Sequence, residues 1–368
     1  MTINASTLSV VHGGFISSNT YSGGDAGDLL ITAGTMTVQH NAAIASVAYP
    51  GSAGNAGFIS IAADTLTVRD NSVVSTSSAG DGDAGSVILK AKTLTIDNSE
   101  VSSAAVVGAT GASGLLSINA QAVSVVNGGI ISTVSNNPRP AGQIDLTAES
   151  LAVDGEGSAI SSENQAGNTA LGNPAGESGA AGTILLASNR ITIANGARTS
   201  TNAFAGAAGD IEIAMPAGSV LTLKGADAPG TIQTSSGVGT GGRITIASPL
   251  AIASNGGSIL ALGQQRGANV AIRAKYFINS SDRLNTVAVD GEFHLVAGLY
   301  DVSAGTVSRD LSVLDASKVL RGQCPVARAT GQVSQLVTRQ VGPYVLEPSF
   351  EVSKKPLDSV QLDVGACR

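Results

Sequence analysis

The residues best suited to chemistry in this chain are two pairs of carboxylates. Asp25 and Asp28 stand in "GGDAGD", and Asp81 and Asp83 stand in "GDGDAG". Paired carboxylates carry out general acid–base hydrolysis of glycosides, and carboxylate oxygens also bind Ca²⁺. Both stretches are rich in glycine, however, and aspartate is common in such turns because its side chain hydrogen-bonds its own backbone. We therefore predict that these four residues are turn residues and assign no catalytic role to them.

Metal and nucleophile chemistry have equally little support. Neither acidic stretch follows the order of the nonapeptide calcium repeat, and neither recurs every nine residues. His12 and His40 occupy equivalent places just after a predicted strand, which favours corner residues, and His294 lies far from both. The chain has no GxSxG element and no phosphate-binding loop. The sequence therefore predicts no catalytic residue, no metal site and no cofactor.

The dominant pattern is an internal repeat. The phrase "AGDLLITAGTMTV" returns as "AGFISIAADTLTV" and as "AGSVILKAKTLTI". The glycine that opens each copy recurs at intervals of 30, 28, 29, 28, 40, 27 and 33 residues, at Gly27, Gly57, Gly85, Gly114, Gly142, Gly182, Gly209 and Gly242. Repeats of this period are typical of solenoids, in which each unit buries its apolar face only against its neighbours.

Each repeat alternates apolar and polar residues in period two, which predicts short, half-buried strands. Three such segments per repeat fit one coil of a right-handed parallel β-helix with nine or ten coils. An antiparallel sandwich or barrel also has alternating strands, but it has no reason to repeat its sequence every 28 residues. The all-β solenoid is therefore the predicted fold class.

The repeat also predicts how the coils stack. Two apolar rows should line the interior: Met36, Leu66, Leu94, Val123, Leu151 and Ile191, and next to them Val38, Val68, Ile96, Val125, Val153 and Ile193. Serines of the third segment are expected to hydrogen-bond along the axis (Ser46, Ser75, Ser132 and Ser161). The opening glycines should permit a sharp turn. The long interval is explained by a loop at 162–182, expected to be exposed, mobile and unimportant to the core.

Composition and charge limit the classes of function and partner that the chain is expected to have. Residues 1–270 hold 9 Lys/Arg and 17 Asp/Glu, a net charge of −8, within a chain whose net charge is −7. This acidic surface argues against nucleic acid as a partner. No run approaches eighteen apolar residues, and the N-terminus does not have the pattern of a signal peptide.

The C-terminal part is a different kind of sequence. The repeat stops near residue 282, and we predict three regions: a β-helix at 1–282, a cap at 283–323 and an irregular tail at 324–368. A cap would cover the last open strand edge of the solenoid. The tail is bounded by the two cysteines of the chain, Cys324 and Cys367. They are a candidate disulfide, and two free thiols are the alternative.

The repeats "GDLLITAGTMTVQHNAAIAS" and "GFISIAADTLTVRDNSVVSTSS" resemble those of filamentous-haemagglutinin-like exoproteins, the secreted partners of bacterial two-partner secretion. The segment "LSVLDASKVLRGQCPVARATGQVSQLVTRQVGPYVLEPS" is similar to the closing segment of that family, with Cys324 and Arg328 forming its "C..R" element ahead of Gly342 and Pro343. The resemblance implies a protein exported through an outer-membrane pore partner to the cell surface or medium. It also implies adhesion to glycans or proteins of a host or neighbouring cell.

The family's N-terminal secretion domain carries an "NPN" element, whereas this chain has "NPR" at 137–139 and "NPA" at 173–175. The chain is therefore expected to be the C-terminal part of a longer protein.

Two functions remain open: a non-catalytic stalk or adhesin, which is favoured, and a carbohydrate-active β-helix lyase or hydrolase. An enzyme should bring acidic and basic side chains together on one outer face, whereas a stalk should show only Ser, Thr, Asn and Gly there.

Overall fold

A computed structural model describes residues 1–301, with the exception of 226–227, 248, 266 and 280–285. In this part of the chain the only helix is one turn of 3-10 helix, Thr169–Leu171. All other regular structure is strand. In chain order the strands are β1 Thr2–Val11, β2 Phe15–Thr20, β3 Leu29–Gln39, β4 Ala43–Ala48, β5 Ile59–Arg69, β6 Val73–Ser78, β7 Val87–Asp97, β8 Glu100–Ala105, β9 Leu116–Val126, β10 Ile130–Ser135, β11 Ile144–Asp154, β12 Ala159–Asn164, β13 Ile184–Ala194, β14 Arg198–Ala203, β15 Ile211–Ala214, β16 Val220–Lys224, β17 Thr231–Ser236, β18 Arg243–Ala247, β19 Ala251–Asn255, β20 Ser258–Gly263, β21 Asn269–Asn279, β22 Thr286–Val289 and β23 Phe293–Asp301.

These strands form two long parallel sheets. The first sheet begins β1-β3-β5-β7-β9-β11-β13, and the second runs β2-β4-β6-β8-β10-β12-β14-β17-β20-β22. Each coil thus adds one layer to both sheets, and the ten strands of the second sheet correspond to ten coils. At about 4.8 Å per layer the stack is roughly 45 Å long. The predicted parallel β-helix is confirmed.

The predicted three separate strands per coil are found only in the eighth and ninth coils. In the first seven coils the first two segments form a single strand of ten or eleven residues that bends at one unpaired residue, such as Gly34 between Ala33 and Thr35. The eighth and ninth coils divide this strand in two, at Pro216 and Pro249. Proline has no N–H to donate to the ladder, so the pairing stops there.

The two predicted apolar rows are confirmed. Successive pairings place Met36 beside Leu66, Leu66 beside Leu94, and so on to Ile191. The neighbouring row runs in the same way from Val38 to Ile193. All twelve side chains are buried. Each therefore packs against the equivalent residue of the coil above and the coil below.

The predicted serine row combines residues from two different rows. Ser46 pairs with Thr76, not with Ser75. Ser75, Ser132 and Ser161 belong to the adjacent row on the other face of the strand. The inner hydroxyl row is Ser18, Ser46, Thr76, Ser103, Thr133, Ser162, Thr201 and Thr234.

The inner hydroxyls bond mainly to the opening glycines, not along the axis. Ser103 Oγ accepts from the N–H of Gly114 at 2.7 Å and donates to the carbonyl of Gly85 at 2.9 Å. Thr133 Oγ1 donates to the carbonyl of Gly142 at 2.6 Å. Backbone groups that would otherwise be unsatisfied in the interior thus find partners.

The opening glycines are required for close stacking and not for a left-handed turn. None of the eight has a positive φ. A Cβ added to Gly142 would overlap the carbonyl oxygen of Gly114, and one added to Gly114 would overlap that of Gly85. Only glycine allows the backbones of successive coils to come this close.

The loop after β12 is packed, contrary to the expectation for 162–182. Residues 162–164 still belong to β12, and the loop that follows contains the 3-10 turn. Asn173 is buried, and its Nδ2 donates to the carbonyl of Gln165 at 2.7 Å and to Oδ1 of Asn136 at 3.2 Å. Side-chain amides that reach the preceding coil hold this loop against the solenoid.

The solenoid continues beyond the predicted boundary at 282. Thr286–Val289 pairs with β20, and Phe293–Asp301 pairs with β21, so residues from 286 to 301 are further solenoid strands where a cap was predicted. The rest of the predicted cap, the tail at 324–368 and both cysteines, Cys324 and Cys367, lie outside the described residues. In the described part of the chain, no helix has the length and apolar character needed to cross a bilayer.

Candidate functional site

The acidic pairs singled out in the sequence serve as ties between coils. Asp25 Oδ1 accepts from the backbone N and from Nδ2 of Asn55, at 2.7 and 3.1 Å. Asp83 Oδ1 accepts from the backbone N of Ala112 at 2.7 Å. These side chains were expected to bond to their own backbone. They bond instead to the next coil. Asp28 and Asp81 do the same, with acceptor distances of 3.1 Å to Phe58 N and 3.0 Å to Thr110 Oγ1.

The histidines lie at a corner, as predicted for His12 and His40. Both have left-handed backbone, with φ of 51° and 59°, and their rings stack with centroids 4.9 Å apart. His40 Nε2 is 3.5 Å from a carboxylate oxygen of Asp70, which occupies the same corner of the next coil. His294 lies 3.4 Å from Glu292. Within the described residues, no three His, Cys, Asp or Glu side chains come together in a way that could hold a metal ion.

A concave feature lies along the bend of the long strands. A groove of about 750 Å³ crosses the second to the seventh coil. It is lined by three rows of residues. The middle row is alanine (Ala33, Ala63, Ala91, Ala120, Ala148). The rows on either side are mostly polar; one is Thr32, Ala62, Lys90, Asn119 and Thr147, and the other is Asp64, Lys92, Gln121, Glu149 and Asn189. We refer to this feature as the bend groove.

The strand pattern explains why a groove forms here. Inward and outward residues alternate up to the alanine row, and the alternation then slips by one residue at the unpaired position, as at Gly34. A strand that bends towards the axis leaves little room inside, and the small alanine side chain fits that space. The polar residues on either side of the alanine row point to solvent and form the two walls.

The charges of the bend groove are arranged unevenly. Lys92 Nζ forms an ion pair with Asp64 at 2.8 Å, and both side chains are exposed. Lys90 lies on the other wall, in the same coil as Lys92. It forms no ion pair with any described residue. Glu149, two coils further along, likewise forms no ion pair within the described part of the chain. The exposed amides of Asn119 and Gln121 lie on the coil between them.

This arrangement does not supply the pair of carboxylates that hydrolases use. Asp64 and Glu149 lie three coils apart, which corresponds to about 14 Å along the axis. Glycosidases place their two carboxylates about 5–9.5 Å apart. Asp64 is, moreover, ion-paired to Lys92. The bend groove can therefore bind a ligand through hydrogen bonds and one free ammonium group, but it has no acid–base pair at working distance.

These residues do not stand out in the sequence, because none of them belongs to an acidic cluster. A signal was present in every coil, at the residue that follows the alanine row. In "TAGT", "AADT", "KAKT", "NAQA" and "TAES" the third letter is the unpaired bend residue, and it is charged or an amide in all but the first. One polar residue per coil at constant phase is therefore the sequence signal of this wall.

Comparison of the chain with protein-family models, with curated proteins and with solved structures found no match.

Proposed function

We propose that this protein is a non-catalytic stalk or adhesin that is exported through an outer-membrane pore partner and acts at the cell surface or in the medium. The observation that carries the proposal is the continuous stack of ten coils along two parallel sheets. Hydroxyls and glycine backbones bond to one another in coil after coil, as at Ser103 and Thr133. A stack of this kind extends a surface away from its point of attachment without using a large globular core.

The export route is supported by the resemblance of the repeats and of the closing segment to filamentous-haemagglutinin-like exoproteins. The acidic surface of the coils is consistent with partners other than nucleic acid. Glycans or proteins of a neighbouring or host cell are the partners that adhesion requires.

A carbohydrate-active enzyme is the second candidate, because charged side chains do meet on one outer face. A stalk was expected to show only Ser, Thr, Asn and Gly on such a face, so the charged residues of the bend groove favour the enzyme on this criterion. Incubation with linear polysaccharides distinguishes an enzyme from a non-catalytic stalk. New reducing ends would indicate hydrolysis, and absorbance of unsaturated uronates would indicate lyase activity. The proposed function predicts neither product.

The proposal is tested in the cell that produces the protein. Antibody against the solenoid should label intact cells or recover the protein from the medium, and disruption of the cognate pore gene should abolish both signals. The proposal would be contradicted if intact cells were not labelled and if the distribution of the protein between cytoplasm and outer membrane were unchanged by that disruption.

A further inference from the structure

We infer that the bend groove binds one linear polysaccharide chain that lies along the solenoid axis, with Lys90 as the contact for a sugar carboxylate. The inference rests on the proposed adhesive function and gives it a ligand class and a binding site. It depends on the geometry of the groove, on the chemistry of its walls and on the free charge at Lys90.

The geometry of the groove favours an extended, repeating ligand. Equivalent wall residues recur once per coil, at about 4.8 Å, which is comparable to the length of one pyranose unit in an extended polysaccharide. The lining runs from Thr32 to Asn189, over six coils and about 24 Å. In the next coil the five residues 215–219, including Pro216, separate β15 from β16 at the same place. The groove thus offers several equivalent subsites in a row.

The chemistry of the walls suits sugars. Asn119, Gln121 and Asn189 present exposed amides, each of which can donate and accept hydrogen bonds with hydroxyl groups. Between the walls, Ala63 and Ala91 of the alanine row are partly exposed, and the C–H faces of sugar rings can pack against them. The lining has no aromatic side chain for stacking, so the affinity of each subsite should be low and binding should depend on chain length.

The charge pattern indicates where an acidic sugar would bind. Lys92 is already paired with Asp64 at 2.8 Å, whereas Lys90 has no carboxylate partner among the described residues. A uronate placed beside Asn119 would meet the Lys90 ammonium group, and a charge-assisted hydrogen bond is about twice as strong as a neutral one. Glu149 lies two coils away and disfavours a second carboxylate there. A mostly neutral chain that carries isolated uronates is therefore preferred over a fully neutral chain, and over a polyuronate, which the acidic coils repel.

Affinity electrophoresis in native gels tests the inference. The full chain is run in gels that contain a xylan with sparse glucuronate substituents, in gels that contain a linear neutral glucan, and in gels without polysaccharide. The variants are Lys90→Gln and the double change Asn119→Ala/Gln121→Ala, all at exposed positions. Lys224→Gln, which removes an exposed lysine outside the groove, is the matched control. Circular dichroism confirms that each variant keeps its β structure.

We expect the glucuronate-bearing xylan to retard the wild-type chain and the control equally. Lys90→Gln should weaken this binding about tenfold, and the double variant should weaken binding to both polymers. Retardation by the glucan alone, insensitive to Lys90→Gln, would overturn the role of Lys90. Equal mobility in all gels, or retardation that no groove variant changes, would overturn the site. Surface labelling that persists in either case would leave the proposed function intact.

Discussion

The hydroxyl of Ser162 donates a hydrogen bond to the carbonyl oxygen of Gly142 at 3.0 Å, inside the solenoid. Ser162 Oγ in turn accepts a hydrogen bond from the backbone N–H of Gly182 at 2.8 Å. Gly142 and Gly182 open successive coils, so a single side chain links the backbones of two layers. Since the residues are buried, water cannot replace either bond.

Replacement of Ser162 by alanine tests this link. The change leaves the N–H of Gly182 without its partner in a dry interior, and an unsatisfied buried donor costs about 1–3 kcal/mol. Ser161→Ala is the matched control, because Ser161 lies on the other face of the same strand and makes no side-chain bond of this kind. Unfolding in guanidinium chloride should show a lower midpoint for Ser162→Ala alone. Equal midpoints would show that the hydroxyl ladder does not stabilise the stack.

The inward rows should carry most of the stability. Val68 is fully buried between Val38 and Ile96. Val68→Asp places a carboxylate in an apolar row without a partner, which we expect to cost about 3–5 kcal/mol. Thr67→Asp changes the neighbouring, outward-facing residue and should cost far less. Thermal denaturation of both variants is the measurement, and similar losses would contradict the assignment of inner and outer faces.

The glycine stack should tolerate no side chain. A Cβ at Gly142 would overlap the carbonyl of Gly114, whereas one at Gly24 would meet open space. Gly142→Ala must therefore push two coils apart, and overpacking of this kind costs about 1–3 kcal/mol or more. Gly24→Ala should leave stability unchanged within about 0.5 kcal/mol. If the two variants unfold at the same denaturant concentration, close backbone contact is not what selects glycine at these positions.

The loop after β12 should open when its amide anchor is removed. Asn173→Ala loses the bonds to Gln165 and to Asn136, and we expect the loop to lose about 1–3 kcal/mol of local stability. Because the effect is local, limited proteolysis of the native protein and hydrogen exchange are more sensitive measurements than global unfolding. Ser178→Ala, at an exposed position of the same loop, is the control. Cleavage of both variants at the wild-type rate would show that the amide contacts do not hold the loop.

The sequence by itself determined the repeat, the parallel stacking and the identity of the inner apolar rows. It did so because a coil can bury residues only against its neighbours, so the same apolar position must recur at every turn. The rows that begin at Met36 and Val38 were found from this periodicity alone. The corner positions of His12 and His40 followed from the same phase.

Only the tertiary structure decided which polar groups meet. The partner of Asp25 lies 30 positions away in the sequence, and the partners of Ser162 lie 20 positions away on either side. Small changes in turn length also shift the register, so that Ser46 pairs with Thr76 and not with Ser75. The bend groove depends on one unpaired residue per coil, which no strand periodicity marks as concave. Its charge pattern arises from stacking, since Asp64 and Lys92 are 28 positions apart in the chain and become neighbours only when one coil lies on the next.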